Sequence, residues 1–147
     1  MKMNETGHTG AMDVVARREN ALTEAVSEYL RKMKTPMLCS KCEWKIPLTV
    51  TVYAEAENRI SITGEQVPEE TVKVATDICL SAFNTLQRAL KGTRLDLQSV
   101  AFTLGYSKDG IVIVGPLDLS TMKVLEADDH TLLNDESVLV ERFRTAA

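Results

Sequence analysis

The feature that most constrains this chain is the run Val72, Thr76, Cys79, Phe83, Leu86 and Leu90, which advances in steps of four and three residues. That spacing puts every member on one stripe of an α-helix. Ile78, Leu80 and Ala82 widen the apolar band, so the helix is expected to pack in a core rather than lie on a surface. Pro68, Glu69 and Glu70 open it, with proline in the first turn and acids beside the positive end of the helix dipole. Arg88, Lys91 and Gly92 close it, with glycine as the capping residue.

Two stretches of the opposite periodicity flank this helix. Ile46, Leu48, Val50 and Val52 alternate with Pro47, Thr49, Thr51 and Tyr53, the period of a strand with one buried face. Ile60 and Ile62 return after the polar turn Glu55–Asn58, which makes a hairpin closed by Gly64. Val100, Phe102 and Leu104 form a third strand. Asp109-Gly110 supplies the positive φ of a tight turn, and Ile111 to Val114, all apolar, form a fourth strand that is either central or covered on both faces. Gly115-Pro116 stops it.

A first helix precedes all of these. Asp13 is its candidate N-cap, and Leu22, Val26, Tyr29 and Met33 form its stripe. Pro36 ends it, because Thr35 is pushed out of the α region. The order is α-β-β-α-β-β followed by a mixed C-terminal tail over residues 117–147. In that tail Ser120 is a candidate cap for a short helix through Leu125. Asn134 or Asp135 is a candidate cap for a terminal helix, although Ser137 to Phe143 also fits a strand. The expected fold class is α+β, an antiparallel sheet with helices packed on it. Residues 1–11 are expected to be a flexible tail and residues 12–147 a single domain, since 147 residues suffice for one core.

Composition narrows the function. A net charge of −4 and 5% aromatic residues argue against a nucleic-acid surface, which uses basic faces and stacking rings. No run of about 18 apolar residues occurs, so no membrane span is expected. Three cysteines and no apolar leader segment favour a reducing cytoplasm.

Cys39-Ser40-Lys41-Cys42 is the one chemically suggestive motif. The pair reads either as incidental free thiols or as half of a zinc site: two thiolates at this spacing can grip a tetrahedral zinc ion, but two more ligands would have to come from afar or from a second subunit. Redox catalysis is disfavoured, because the pair follows a helix and precedes a strand, without the helix N-terminus that lowers a thiol pKa. Cys79 lies on the core stripe. Asp128-Asp129-His130 reads as an acidic loop, since no nucleophile stands beside it. No P-loop and no GxGxxG is present, so no sequence-local phosphate cradle is expected.

With no catalytic set in view, the expected function is a non-enzymatic cytoplasmic protein-binding domain of adaptor, inhibitor or chaperone type. It would be homodimeric and present Leu22, Val26, Tyr29 and Met33 or an exposed sheet face to its partner. The alternative is a regulatory domain stabilised by zinc on Cys39 and Cys42, with nucleic acid as a partner through the basic first third.

Overall fold

The computed structural model describes residues 9–37, 45–54, 60–108 and 110–146. Its elements are α1 (Thr9–Lys32), β1 (Lys45–Tyr53), β2 (Ile60–Gly64), α2 (Glu69–Leu90), β3 (Leu95–Ser107), β4 (Gly110–Val114), β5 (Met122–Glu126), β6 (Thr131–Leu132) and α3 (Glu136–Ala146). Among the described residues the fold is α+β: one antiparallel sheet of six strands with three helices on it, in the order the periodicities predict.

The sheet runs β2-β1-β3-β5-β6. β3 is its axis. β1 pairs along one edge of β3, while β4 and β5 share the other edge end to end, β4 on Thr103–Ser107 and β5 on Leu95–Val100. The far edge of β4 is covered: Met37 bridges Ile113 in parallel, and Ile113 N–H donates to Pro36 C=O at 3.0 Å. Val112, Ile113 and Val114 are buried despite this end position.

Two irregularities shape the sheet. β1 shifts register against β3 between Ile46 and Thr49, and β3 shifts against β5 between Leu97 and Ser99. Such bulges increase local twist and re-aim the side chains beside them. Gly64, at φ 126°, ends β2 with Glu65 N–H donating to Pro47 C=O at 2.8 Å.

The helices share one core with Ile46, Val50, Val52, Val100, Phe102 and Leu104 of the sheet. α2 carries the expected stripe, with Cys79, Phe83 and Leu86 fully buried. The chain's three phenylalanines, Phe83, Phe102 and Phe143, are all fully buried. α1 packs on α2 and α3 rather than standing free. Its Tyr29 hydroxyl donates to Thr85 C=O at 3.3 Å, and its ring meets Phe143 at 5.7 Å between centroids in a tilted arrangement. α1 closes in a Schellman-type cap: Lys34 takes φ 63°, and Thr35 N–H donates to Leu30 C=O at 2.8 Å.

The tail differs from expectation in one place. Ser120 does not cap a helix; Asp118 Oδ1 accepts from Ser120 N–H at 2.8 Å in a turn, and β5 follows. The pattern Met122, Val124 against Lys123 has too few residues for its period to separate strand from helix. The terminal segment is a helix, and Asp135 is the residue that caps it, accepting from Ser137 N–H at 3.1 Å. α1 begins at Thr9, and Asp13 stands within it rather than at its start.

Candidate functional site

The two sequence-predicted sites fare differently. Cys39 and Cys42 lie outside the described residues. Of the α1 stripe, Leu22, Val26 and Tyr29 are buried in the chain's own core, and only Met33 is exposed, at 46%. The stripe is spent on α2 and α3, because an apolar α1 face gains more by closing this core than by waiting in water. Cys79 is fully buried and burial pushes its thiol up to about 12, which makes it a packing residue and a poor ligand or nucleophile. Among the described residues no three His, Cys, Asp or Glu side chains converge as a metal site.

Asp128-Asp129-His130 forms the turn between β5 and β6. Asp128 is paired to Arg94, and Asp129 Oδ1 accepts from the Thr131 hydroxyl and N–H, which holds its carboxyl below the usual value. His130 takes φ 58° and its N–H donates to Glu126 C=O. These side chains build the turn and leave no acid–base pair.

Two clefts border α3. The larger, about 610 Å³, is lined by Ala21, Val140, Asp135, Glu136, Glu141 and Arg144 among others. Three carboxylates against one arginine make it hostile to anions. The smaller, about 320 Å³, holds Arg94, Glu126, Asp128 and Arg142 over Leu95 and Val138. Its cations are already engaged: Arg94 with Asp128, and Arg142 Nε with Ala89 C=O at 2.6 Å, where it caps the C-terminal end of α2. Both volumes fit a small ligand; in the smaller the two arginines are engaged, and in the larger Arg144 stands among three carboxylates.

The third surface is the sheet face opposite the helices. Register assigns its rows, since paired residues share a face. Thr63, Thr49, Thr103 and Val114 form one row; Ser61, Thr51 and Ala101 the next; Tyr53, Ser99 and Lys123 the third. Asp96 and Leu125 lie beyond the β3 bulge. Thr49, Thr51, Tyr53, Ser99, Ala101 and Thr103 are half-buried, and Lys123 is exposed. From Ser99 to Thr103 the surface extends roughly 13 Å, at about 3.3 Å per residue. Small side chains leave it shallow and rich in hydroxyls. Lys123 makes no ion pair among the described residues.

No family model and no curated protein sequence matches the chain. Solved structures do. A SAICAR synthetase from a structural-genomics study superposes with a TM-score of 0.71 at 10% identity, covering 87% of this chain and 84% of that one. A SAICAR synthetase solved in complex with ADP gives 0.71 at 14% identity over 86% of this chain and 77% of that one. The Pyrococcus horikoshii OT3 enzyme gives 0.67 at 13% identity over 88% and 81%. The fold is that of the SAICAR synthetases.

This finding corrects the functional expectation. The non-enzymatic protein-binding domain of adaptor, inhibitor or chaperone type is overturned because the whole architecture is one that enzymes use. The zinc-stabilised regulatory alternative is not favoured either: the solved proteins are synthetases, and one was solved with ADP. Sequence reasoning missed the open sheet face. The alternation of Thr49, Thr51 and Tyr53 was visible as a strand pattern, but their alignment with Ser99, Thr103 and Lys123 exists only across strands.

Proposed function

We propose that the chain is a nucleotide-dependent enzyme of the SAICAR synthetase fold, holding an adenine nucleotide on the open face of its sheet. The observation that carries this reading is the match over 86% of the chain to a SAICAR synthetase solved with ADP. The face itself supports it. Thr49, Thr51, Ser61, Thr63, Ser99 and Thr103 present hydroxyls that donate to and accept from ribose and phosphate oxygens. Asp96 is the one described carboxylate on that face, so polyphosphate repulsion is low. A bound ATP would supply a phosphoryl group for transfer. The protein's own residues would orient the nucleotide and exclude water from its apolar end. A glycine-rich loop is not required for this arrangement, because strand side chains replace it. A cytoplasmic location fits a consumer of nucleotide, and no described helix is long and apolar enough to cross a membrane.

Thermal unfolding of the full chain with ATP, ADP or AMP tests the reading. A ligand at about 100 times its Kd adds about 2.7 kcal/mol of stability, so the melting temperature should rise with ADP or ATP. A variant that fills the face, Thr51→Trp, should lose the rise while still melting cooperatively. No rise with millimolar ADP or ATP, and no binding by calorimetry, would overturn the assignment.

A further inference from the structure

We infer that the outer edge of β2 pairs with the β2 edge of a second copy of this chain, antiparallel about a two-fold axis through Ile62. β2 ends the sheet, with β1 on one side and no described strand on the other. The ladder fixes which backbone groups point outward. Glu65 N–H donates to Pro47 C=O, so it is Thr63 and Ser61 that exchange bonds with Thr49 and Thr51. Ile60 and Ile62 turn their N–H and C=O away from β1. Among the described residues nothing bonds those outward groups.

The side chains leave the same edge open. Val50 and Ile62 are paired and share the helix side of the sheet, yet Val50 is fully buried while Ile62 is 42% exposed. The helix layer stops short of the edge, since α2 packs on β1, β3 and β4. Exposed edges are ordinarily blocked by lysine, proline or an inward charge, and the strand Ile60–Gly64 has none of these.

The occupant is a second copy because the edge is complementary to itself. A two-fold through Ile62 sets Ile62 of one copy opposite Ile62 of the other, so each N–H donates to the other's C=O. Ile60 then falls opposite Gly64, and the two exposed isoleucine side chains cover each other. The same operation brings the sequence position before β2, Arg59, to the position after it, Glu65, so unlike charges meet at both ends. Ser61 and Thr63 stay on the open face, so the pairing joins two six-stranded sheets and lengthens that face without covering it. A five-residue edge is a small interface, of the transient size class, so the dimer should depend on concentration. The inference does not rest on the nucleotide reading.

The test is sedimentation equilibrium of the full chain over a concentration series up to about 1 mM, for wild type, Ile62→Lys and the control Leu132→Lys on the opposite edge strand, β6. Ile62 and Leu132 are both exposed, so the variants should fold, and melting curves verify it. Wild type and Leu132→Lys should pass from monomer to dimer as concentration rises, while Ile62→Lys should stay monomeric. Ile62→Cys reads the register. Cα atoms of a bonded antiparallel pair stand about 5.5 Å apart, within disulfide reach, so mild oxidation should link two copies through position 62, seen by peptide mass spectrometry. Leu132→Cys should give no such link. A wild type that is monomeric throughout, or a dimer that Ile62→Lys leaves intact, would overturn the pairing. A dimer that forms without the position-62 link would overturn the two-fold through Ile62.

Discussion

Thr23 gives a demanding test of how α1 is held. Its hydroxyl accepts from Leu117 N–H at 3.1 Å and donates to Leu117 C=O at 3.3 Å, joining two segments 94 residues apart. Thr23 is 7% exposed and Leu117 is fully buried, so water cannot replace either bond. Thr23→Val keeps the shape and deletes both. Each bond contributes about 1 kcal/mol, and each stranded backbone group costs about 1–3 kcal/mol, so the loss should be about 2–4 kcal/mol after partial relaxation. Against a typical stability of about 5–15 kcal/mol that is a large fraction. Urea unfolding followed by circular dichroism should show the midpoint falling by about 1 M or more with an unchanged slope. Thr23→Ser retains the hydroxyl and should lose less than about 1 kcal/mol. A Thr23→Val protein within about 0.5 kcal/mol of wild type would refute the claim that this hydroxyl ties α1 to the loop after β4.

Other predictions follow from single contacts. Gly64→Ala places a Cβ 2.3 Å from Pro47 O at a φ of 126°; the strain alone costs about 1–3 kcal/mol, and a melting temperature equal to wild type would contradict the geometry. Phe143→Ala empties a fully buried site beside Tyr29 and should cost about 3–5 kcal/mol. Amide exchange should then rise first in α3, and uniform exchange would argue against α3 packing through this ring. The Asp129 and Asp135 carboxyls, held down by the Thr131 and Ser137 hydroxyls and N–H groups, should titrate below 3.8 by NMR. Their folded values are depressed, so whatever stability they add is present above 3.8 and lost as pH falls through the lower folded value. Ser137→Ala should return Asp135 toward 3.8, and no movement would remove the Ser137 hydroxyl bond as the leading cause.

The elements were legible where the period was long and unbroken. α2 shows its stripe over 22 residues, and the β1–β2 and β3–β4 hairpins follow from alternation and from Gly64 and Gly110. β5 was not, because five residues carry too little periodicity to outweigh Ser120 as a helix cap. The α1 stripe was read correctly as apolar, yet its destination could not be. Leu22, Val26 and Tyr29 look the same whether they meet a partner or the chain's own Phe143.

By itself the sequence determined the local states of the longer elements: the two long helices and the two hairpins, which face of each is apolar, and that Cys79 belongs to a core. Those follow from side-chain periodicity and backbone sterics, which act over a few residues. Only the tertiary structure decided that β3 is shared by β1, β4 and β5, that α1 is spent on α2 and α3, and that Tyr53, Ser99 and Lys123 stand in one row. Those depend on pairings between residues dozens of positions apart, chosen by the burial of the whole sheet. The fold likeness to an enzyme follows from the same pairings, and at 10–14% identity no sequence motif announces it.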